Sequence, residues 1–385
     1  MINENRLRDL FETLVRIDSV SGREGAISYE IRRILEAMGA EIFIDDSGRH
    51  TGSDTGNIIA KFRGNREATP LFLNAHMDTV EPGEGVKPEF DNGVFKSDGR
   101  TILGADDKSA IAIIIEAMRV ILENNLPHGP VEVVLTTCEE TGLLGAKHLD
   151  YSLLDARYGY TLDTFDTESI ITKAPAANHF QFTVNGKSAH AGAEPEKGIN
   201  AILVAAKAIA GLSMGRIDAE TTCNIGFIEC AGATNIVPER VHVKGEARSH
   251  NASTLERVSR EVVASFERAV KEFPDRDVDE NLPNVTVELE NQFPNTFIPE
   301  DHPVVVIARQ AAENQGRTLT TKKTGGGSDA NIFFSKNITT GVIGTGMRDV
   351  HTVRENISLA DMVKTVSFVV EIIRLHAGQK EENPA

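Results

Sequence analysis

The stretch "KSAIAIIIEAMRVILENN", residues 108–125, decides the fold class because it is a long and almost entirely apolar helical segment. A helix that is apolar on all sides is buried between other elements. Short apolar runs around it predict strands: "LFLNAH" (71–76), "VEVVLTT" (131–137) and "YGYTLD" (158–163). Strands that alternate with helices predict an α/β domain whose mixed, largely parallel sheet is flanked by helices.

A second domain is predicted within the first. From about residue 174 the pattern becomes strand, helix, strand, strand, helix, strand, which is the ferredoxin-like split βαβ order of an α+β domain. We expect Ser253 or Thr254 to cap its second helix. The sequence thus predicts one domain formed by residues 1–173 and 293–385, with an inserted domain at residues 174–292.

Composition limits the class of protein. The 385 residues suit two domains, and the 40% hydrophobic and 25% charged content is that of a soluble globular protein. A net charge of -17 argues against nucleic acid and anionic membranes as partners. The three cysteines, Cys138, Cys223 and Cys230, form no C-x-x-C pair and predict reduced thiols in the cytoplasm.

Five segments at predicted strand ends carry histidine or acidic residues. They are "LFLNAHMDTV" with His76 and Asp78, "ILGADDKSA" with Asp106 and Asp107, "TTCEETG" with Glu139 and Glu140, "YTLDTFD" with Asp163, and "MRDVHTVRENIS" with His351. A single histidine after a strand is usually structural, and a single aspartate there is usually a helix cap. Five such segments at one edge of a parallel sheet predict a functional site instead.

Imidazole and carboxylate groups without cysteine form the ligand set of a catalytic zinc site. Two zinc ions carry four positive charges, which three carboxylates and one bridging hydroxide would neutralise. A hydroxide between metals ~3.5–4 Å apart is a nucleophile at neutral pH. The adjacent Glu139 and Glu140 then have separate tasks, because one binds metal while the other acts as general base. Adjacency alone does not say which glutamate has which task.

The segments "HMD", "GADDKSA", "CEETG", "LD" and "DVHT" occur in the order typical of the co-catalytic zinc peptidase superfamily. That superfamily includes peptidase T, glutamate carboxypeptidase, acetylornithine deacetylase and succinyl-diaminopimelate desuccinylase. The resemblance covers essentially the whole chain, including the inserted domain. It is closest to peptidase T, through "LGADDK", "CEETGLLGAK" and "SAHAGAEPEKGINA".

The resemblance implies roles for the metal ligands. Two Zn²⁺ ions, with Co²⁺ or Mn²⁺ as alternatives, would be bound by five side chains: His76, Asp106, Glu140, Asp163 and His351. Asp106 would bridge both ions. His76 and Asp163 would complete the first site, and Glu140 and His351 the second.

Two further groups would act on these ligands and on the substrate. By the same resemblance, Glu139 would be the general base, and Asp78 would orient the His76 ring. The peptide bond that follows Asp106 would be cis.

The inserted domain corresponds to the lid of these relatives, which often mediates homodimer formation. His190 in "GKSAHAG" would stabilise the oxyanion, whereas without the resemblance it would be a surface histidine in a turn. Asn235 and Arg248 would hold the substrate backbone or its terminal carboxylate; the alternative is that they are ordinary polar residues at strand ends.

The segment "KKTGGGSDANIFF" has three glycines before a predicted helix. It lacks the Gly-Lys-Ser/Thr of a phosphate-binding loop, so Ser328 or Asp329 is expected to cap the helix. By resemblance, Gly326 and Gly327 would line the substrate pocket.

The sequence therefore predicts a dinuclear zinc hydrolase that cleaves amide bonds in small peptides and resembles the tripeptide aminopeptidase peptidase T. Asp163, rather than glutamate, favours an aminopeptidase within the superfamily. The alternatives are an N-acyl amino acid deacylase or carboxypeptidase of the same superfamily, and a non-catalytic metal- or peptide-binding protein. The last would be expected to lack Glu139 or a metal ligand, and both are present.

Overall fold

A computed structural model describes residues 1–274, 277 and 280–378 of the chain. From the sequence, the last residues, "GQKEENPA" (378–385), are predicted to form a frayed tail. All of them except Gly378 lie outside the described residues. Contacts divide the chain into two compact units. The first comprises Met1–Thr172, Phe297–Lys323 and the residues from Ser328 onward, and the second comprises Lys173–Thr296 and Thr324–Gly327.

The strands, in chain order, are β1 Glu41–Ile44, β2 Ile58–Phe62, β3 Leu71–His76, β4 Glu89–Asp91, β5 Val94–Lys96, β6 Val131–Thr136, β7 Tyr158–Thr161, β8 Ser169–Ala174, β9 Ala176–Asn185, β10 Gly215–Asp218, β11 Thr221–Glu229, β12 Arg240–Ser249, β13 Asn284–Phe293, β14 Thr296–Phe297, β15 Thr320–Lys323, β16 Thr339–Ile343 and β17 Asn356–Ser358. The α-helices are α1 Glu4–Val15, α2 Gly25–Ala37, α3 Gly48–Thr51, α4 Ala105–Glu123, α5 Leu144–Lys147, α6 Ala201–Ala210, α7 Ala252–Lys271, α8 Pro303–Glu313, α9 Asp329–Ser335 and α10 Leu359–His376.

The first unit is built on a nine-stranded sheet with the order β1-β2-β6-β3-β7-β16-β8-β14, in which β15 also pairs with β8. Its four central strands, β6, β3, β7 and β16, run parallel. At the edges β2 and β8 pair antiparallel with their neighbours. The parallel centre brings the carboxyl ends of β3, β6 and β7 to one edge, which is where such sheets form sites.

Helices cover both faces of this sheet. Successive side chains of a strand point to opposite faces. Leu73 of β3 therefore belongs to the core with the apolar residues of α4, whereas Phe72 packs edge-on against Phe333 of α9. The long apolar segment at residues 108–125 forms most of the buried helix α4, which also packs against α1 and α10. A separate small sheet of β17, β5 and β4 completes the unit.

The second unit has one antiparallel sheet of order β10-β11-β12-β9-β13, and α6 and α7 pack against it. Apart from the extra strand β10, its chain order is the predicted strand, helix, strand, strand, helix, strand. The α/β fold with an inserted split βαβ unit is thus confirmed. The expected cap of α7 was wrong, because Asn251 is the N-cap residue and its side chain accepts from the backbone N–H of Thr254.

Among the described residues, no helix combines the length and the apolar character needed to cross a membrane.

Gly159 in β7 allows a close approach between two of the central strands. A Cβ at this position would lie 1.9 Å from the backbone oxygen of Phe72 in β3. We predict that Gly159→Ala lowers the free energy of unfolding by roughly 3 kcal/mol or more, because two backbones must separate. Gly232→Ala is the control, since an added Cβ there meets no atom within 4 Å and should cost less than about 0.5 kcal/mol. Urea denaturation measures both values, and equal stability of the two variants would contradict the prediction.

Candidate metal centre

The end of β3, the segments that follow β6 and β7, the start of α4 and the loop that carries His351 supply the cluster. His76 is the last residue of β3 and pairs in register with Thr136, the last residue of β6. The strand β6 leads directly to Glu139 and Glu140, and β7 leads to Asp163. Asp106 lies at the start of α4, where Asp106 and Asp107 have non-helical backbone angles and are joined by the cis peptide bond that the resemblance implies.

The Asp106 carboxylate lies between two imidazoles. Its Oδ1 is 3.0 Å from His76 Nε2, and its Oδ2 is 3.2 Å from His351 Nε2. His351 Nε2 is also 2.9 Å from Glu140 Oε1. Ligand atoms of His76, Asp106 and Glu140 all lie within 4.8 Å of one another, close enough for them to share a metal ion.

The Asp106 carboxylate and the two imidazoles favour one another's charged forms. Burial disfavours ionisation of Asp106, but hydrogen bonds with His351 and His76 lower the pKa of its carboxyl below the usual value. Hydrogen bonds with Asp106 and Glu140 raise the pKa of His351 to about 10. For His76, burial favours the neutral ring, yet hydrogen bonds with Asp106 and Asp78 raise its pKa well above the usual value.

The backbone of the paired glutamates is held by Asp78. Its Oδ1 accepts a hydrogen bond from the Glu139 backbone N–H at 2.9 Å, and its Oδ2 accepts one from Glu140 N–H at 3.2 Å. Ser21 donates its hydroxyl to the same Oδ2 at 2.7 Å. Although burial opposes it, these bonds and the contact with His76 lower the pKa of Asp78. Asp78 therefore fixes the segment that presents both glutamates.

Asp78 also orients the His76 ring, mainly through its backbone. His76 Nδ1 lies 3.0 Å from the backbone carbonyl oxygen of Asp78 and 3.4 Å from its Oδ1. A carbonyl oxygen can only accept, so Nδ1 carries a hydrogen and Nε2 is the nitrogen that can bind a metal.

Three further carboxyl groups interact electrostatically with the cluster; those of Asp107 and Glu139 are buried, and that of Asp163 is partly exposed. Burial raises the pKa values of Asp107, Glu139 and Asp163 well above the usual range. The negative charges of Asp106, Glu140 and Asp329 add to this effect at Asp163. Asp107 Oδ2 accepts from the backbone N–H of His76 at 3.2 Å, whereas its Oδ1 is buried without a hydrogen-bond partner among the described residues.

The donor set fits divalent metal ions of the zinc type. Imidazole nitrogen and carboxylate oxygen are ligands that zinc, cobalt and manganese accept, and no cysteine lies in the predicted ligand set. Buried carboxyl groups that crowd together without a cation are forced towards their neutral forms, as the raised pKa values of Glu139 and Asp163 indicate. Metal binding at the imidazole Nε2 atoms would displace their protons, because a ligating imidazole nitrogen carries no hydrogen.

Three acidic residues that support the site were not singled out as site residues from the sequence. Glu24 is buried and accepts from the backbone N–H of Cys138 at 3.0 Å, next to Glu139. Glu355 accepts three backbone N–H groups at the start of α4. Asp329 accepts from the Thr136 hydroxyl at 2.5 Å, and burial raises its pKa to about 6. The sequence does not show whether a single carboxylate is buried, so these roles could not be predicted. The only sequence signal was that Glu355 and Asp329 lie within segments already identified as candidate parts of the site.

Ser328 and Asp329 were the alternative caps for α9, and Ser328 is the N-cap residue. Its side chain and that of Asn331 form a capping box, which leaves the Asp329 carboxylate to face Thr136.

Two predicted lid residues adjoin each other in the second unit. His190 forms a β-bridge with Ile236, and Ala191 N–H donates to the Asn235 backbone oxygen at 2.9 Å. The His190 ring is exposed, and its Nδ1 accepts from the backbone N–H groups of Gly192 and Ala193, each at 3.1 Å. In the neutral ring the hydrogen is therefore on Nε2, which makes this atom a donor.

Arg248 lies beside the glycine-rich segment, also within the second unit. Its guanidinium forms two parallel hydrogen bonds with Glu246, at 2.9 and 3.0 Å, and its Nη1 is 3.4 Å from the Gly325 oxygen. The Gly327 backbone packs so closely against the Phe293 ring that a Cβ would lie 2.4 Å from it. Gly326 donates its backbone N–H to the Thr324 hydroxyl at 3.2 Å.

Comparison with known proteins identifies relatives along the whole chain. Residues 72–375 match Peptidase family M20/M25/M40. The uncharacterised protein YqjE of Bacillus subtilis (strain 168) is 41% identical over 374 residues, which cover 97% of this chain and 99% of YqjE. In fold, the chain is similar to the crystal structure of aminopeptidase PepT from Bacillus cereus ATCC 10987, with a TM-score of 0.87, 39% identity and coverage of 98% and 100%. It is also similar to a tripeptidase from Staphylococcus aureus subsp. aureus Mu50, with a TM-score of 0.91, 36% identity and the same coverage.

The cluster predicts a stabilising effect of metal that depends on Asp106. An ion at a hundred times its dissociation constant stabilises a folded protein by about 2.7 kcal/mol when it does not bind the unfolded chain. Zn²⁺ should therefore raise the melting temperature of EDTA-treated protein, and Asp106→Asn should abolish most of that rise. Asp98→Asn is the control, because Asp98 pairs with Arg100 at the surface and should leave the rise unchanged. Equal rises in the two variants, measured by thermal denaturation, would contradict the assignment of Asp106.

Proposed function

Because the chain belongs to Peptidase family M20/M25/M40 and is a metallopeptidase, we propose that it is an aminopeptidase of the peptidase T type that cleaves tripeptides. The observation that carries the proposal is the Asp106 carboxylate held between His76 and His351, with Glu140 beside them. The names of the two similar structures, aminopeptidase PepT and a tripeptidase, support this substrate class over N-acyl amino acids.

Two Zn²⁺ ions are the proposed cofactors, with Co²⁺ or Mn²⁺ as alternatives. Asp106 would bind both ions through its two oxygens, which already face different imidazoles. His76 and Asp163 would hold one ion, and His351 and Glu140 the other. When bound, such ions polarise the scissile carbonyl and lower the pKa of water.

Glu139 is the proposed general base. Its carboxyl is buried, and burial together with nearby acidic groups raises its pKa well above the usual value. A raised pKa suits a group that takes a proton from the attacking water and then delivers it to the leaving amine. Asp78 supports this task because its carboxylate holds the Glu139 and Glu140 backbone in place.

The second unit is proposed to be a lid that binds substrate. His190 would donate its Nε2 hydrogen to the oxyanion that forms at the scissile carbonyl, a role for which the neutral tautomer is already set. Arg248 and Asn235 would bind the substrate backbone or carboxylate, with Gly326 and Gly327 lining the pocket. The Arg248 fork is shared with Glu246, so a substrate carboxylate would have to replace that pairing.

A homodimer formed through the lid and a cytoplasmic location complete the proposal. The location is supported by the three cysteines, none of which is in a disulfide. The charge of -17 argues against nucleic acid and anionic membranes as partners.

Substrate chemistry tests the proposed class. We expect the metal-loaded protein to release the N-terminal residue from unblocked tripeptides. N-acetylated tripeptides should resist cleavage, because an aminopeptidase recognises the free amine. Amino acid analysis of the products over a small peptide panel gives the result. Cleavage of blocked substrates alone would replace the proposal with a deacylase or carboxypeptidase.

The paired glutamates provide a matched test of the mechanism. Glu139→Gln should keep both metal ions but lower kcat by about 10²- to 10⁴-fold, because the base is lost. Glu140→Gln should instead lose metal, because a ligand is removed. Metal content by atomic absorption and peptide kinetics separate the two effects. Loss of metal from Glu139→Gln with retention in Glu140→Gln would reverse the two assignments.

A further inference from the structure

Glu355 forms an unusual set of contacts four residues after His351. Its side chain is almost fully buried, at 1% exposure. Its Oε2 accepts from the backbone N–H groups of Leu103 and Gly104, both at 2.7 Å, and its Oε1 accepts from Asp106 N–H at 2.9 Å. All three donors belong to the segment that leads into α4 and carries Asp106.

These donors need an acceptor because the segment does not follow regular helical geometry. Gly104 has a φ of +79°, and Asp106 and Asp107 have non-helical angles. The first N–H groups of a helix have no partner within the helix. A carboxylate that accepts several N–H groups at a helix start forms strong charge-assisted bonds and suits the helix dipole. Glu355 therefore replaces the local cap that this sequence lacks.

The same residue is linked by backbone hydrogen bonds to the segment that carries His351. Arg348 and Asn356 exchange two backbone hydrogen bonds, of 2.9 and 3.0 Å, which close the intervening residues into a loop. Glu355 donates its backbone N–H to Thr352 at 3.0 Å within that loop. It directly precedes β17, which pairs with β5. Glu355 thus lies next to the hydrogen-bonded Arg348–Asn356 pair that closes the loop, and His351 lies within the same loop.

Two contacts consequently connect the same pair of segments. One is the carboxylate of Glu355 with the Asp106 backbone at 2.9 Å, and the other is His351 Nε2 with Asp106 Oδ2 at 3.2 Å. The His351 side chain is half-exposed, so its own packing does not hold it firmly. The buried Glu355 contact is the stronger constraint on the separation of the two segments.

We propose that Glu355 is a positioning residue that sets the spacing of Asp106 and His351, and so determines the affinity for the metal ion that these two residues share. The inference rests on the metal assignment of the proposed function, but it does not depend on the substrate. Loss of a partner that orients metal ligands commonly costs about 10- to 100-fold in metal affinity or activity.

Glu355→Gln is the direct test. A glutamine side chain has only one acceptor oxygen. Its NH₂ group would face at least one of the three backbone N–H donors, so at least one of these hydrogen bonds would be lost. We expect one Co²⁺ ion to bind as in the wild type and the second to bind about 10- to 100-fold more weakly. Titration of the metal-free protein with Co²⁺, followed by visible absorption and calorimetry, measures both steps. In peptide assays kcat should fall, KM should stay the same, and excess metal should restore kcat.

Glu132→Gln is the matched control for a purely structural effect. Glu132 is also buried and accepts backbone N–H groups, from Asp155 and Ala156, but it lies at the opposite end of β6 from the metal centre. This variant should lose stability without a change in Co²⁺ binding. If Glu355→Gln does not fold, Glu355→Asp keeps the charge, is one methylene shorter, and should show an intermediate loss of the second ion.

The outcomes separate this inference from the proposed function. The positioning role would be overturned if the Glu355 variants bound both Co²⁺ ions with wild-type affinity. It would also be overturned if they lost no more affinity for the second ion than Glu132→Gln does. Neither result would contradict the proposed peptidase function. A protein that binds two Co²⁺ ions in the expected manner but cleaves no peptide would overturn the proposed function alone.

Discussion

The contact of one carboxylate with two imidazoles, one on each oxygen, is the interaction on which the rest of the structure depends. Asp106 meets His76 through Oδ1 and His351 through Oδ2. These three residues lie up to 275 positions apart in the chain, so the contact forms only when the parallel sheet, the start of α4 and the late loop all reach their final positions. A carboxylate whose two oxygens face different imidazoles is well placed to bind metal through either oxygen.

A cluster of acidic groups in a buried place is expensive, since each charge loses hydration and repels its neighbours. The protein offsets this cost with backbone N–H donors. Asp78 accepts from Glu139 and Glu140, Glu355 from the start of α4, and Glu24 from Cys138. The same hydrogen bonds fix the irregular segments that carry the ligands. The hydrogen bonds from backbone N–H groups to buried carboxylates therefore both stabilise the site and determine its geometry.

The proposed metal-binding residues and the proposed substrate-binding residues lie in different units. The first unit contains every proposed metal ligand and the proposed base. The second unit contains the proposed substrate contacts, which are His190, Asn235, Arg248, Gly326 and Gly327. The second unit has its own apolar core, centred on Phe180, Phe182 and Phe266, which packs beneath the sheet that includes Arg248.

The sequence by itself determined the α/β class, the inserted split βαβ unit and the family, because apolar periodicity and five ordered motifs are local properties of the chain. It also identified His76, Asp106, Glu140 and His351, which the structure brings into one cluster. The tasks of Glu139 and Glu140 stay predictions. The cap of α7 was misjudged because Asn251, Ser253 and Thr254 are all good caps, and local sequence does not rank them.

Only the tertiary structure revealed that Glu355 and Glu24 hold the backbone of the site. A glutamate that accepts backbone N–H groups about 250 residues away has no local signature, since its role depends on burial and on the direction of distant N–H groups. Likewise, the need for glycine at position 159 arises from a neighbouring backbone 87 residues earlier. Motifs report which chemical groups are present, whereas long-range hydrogen bonds and close backbone contacts decide how firmly those groups are held.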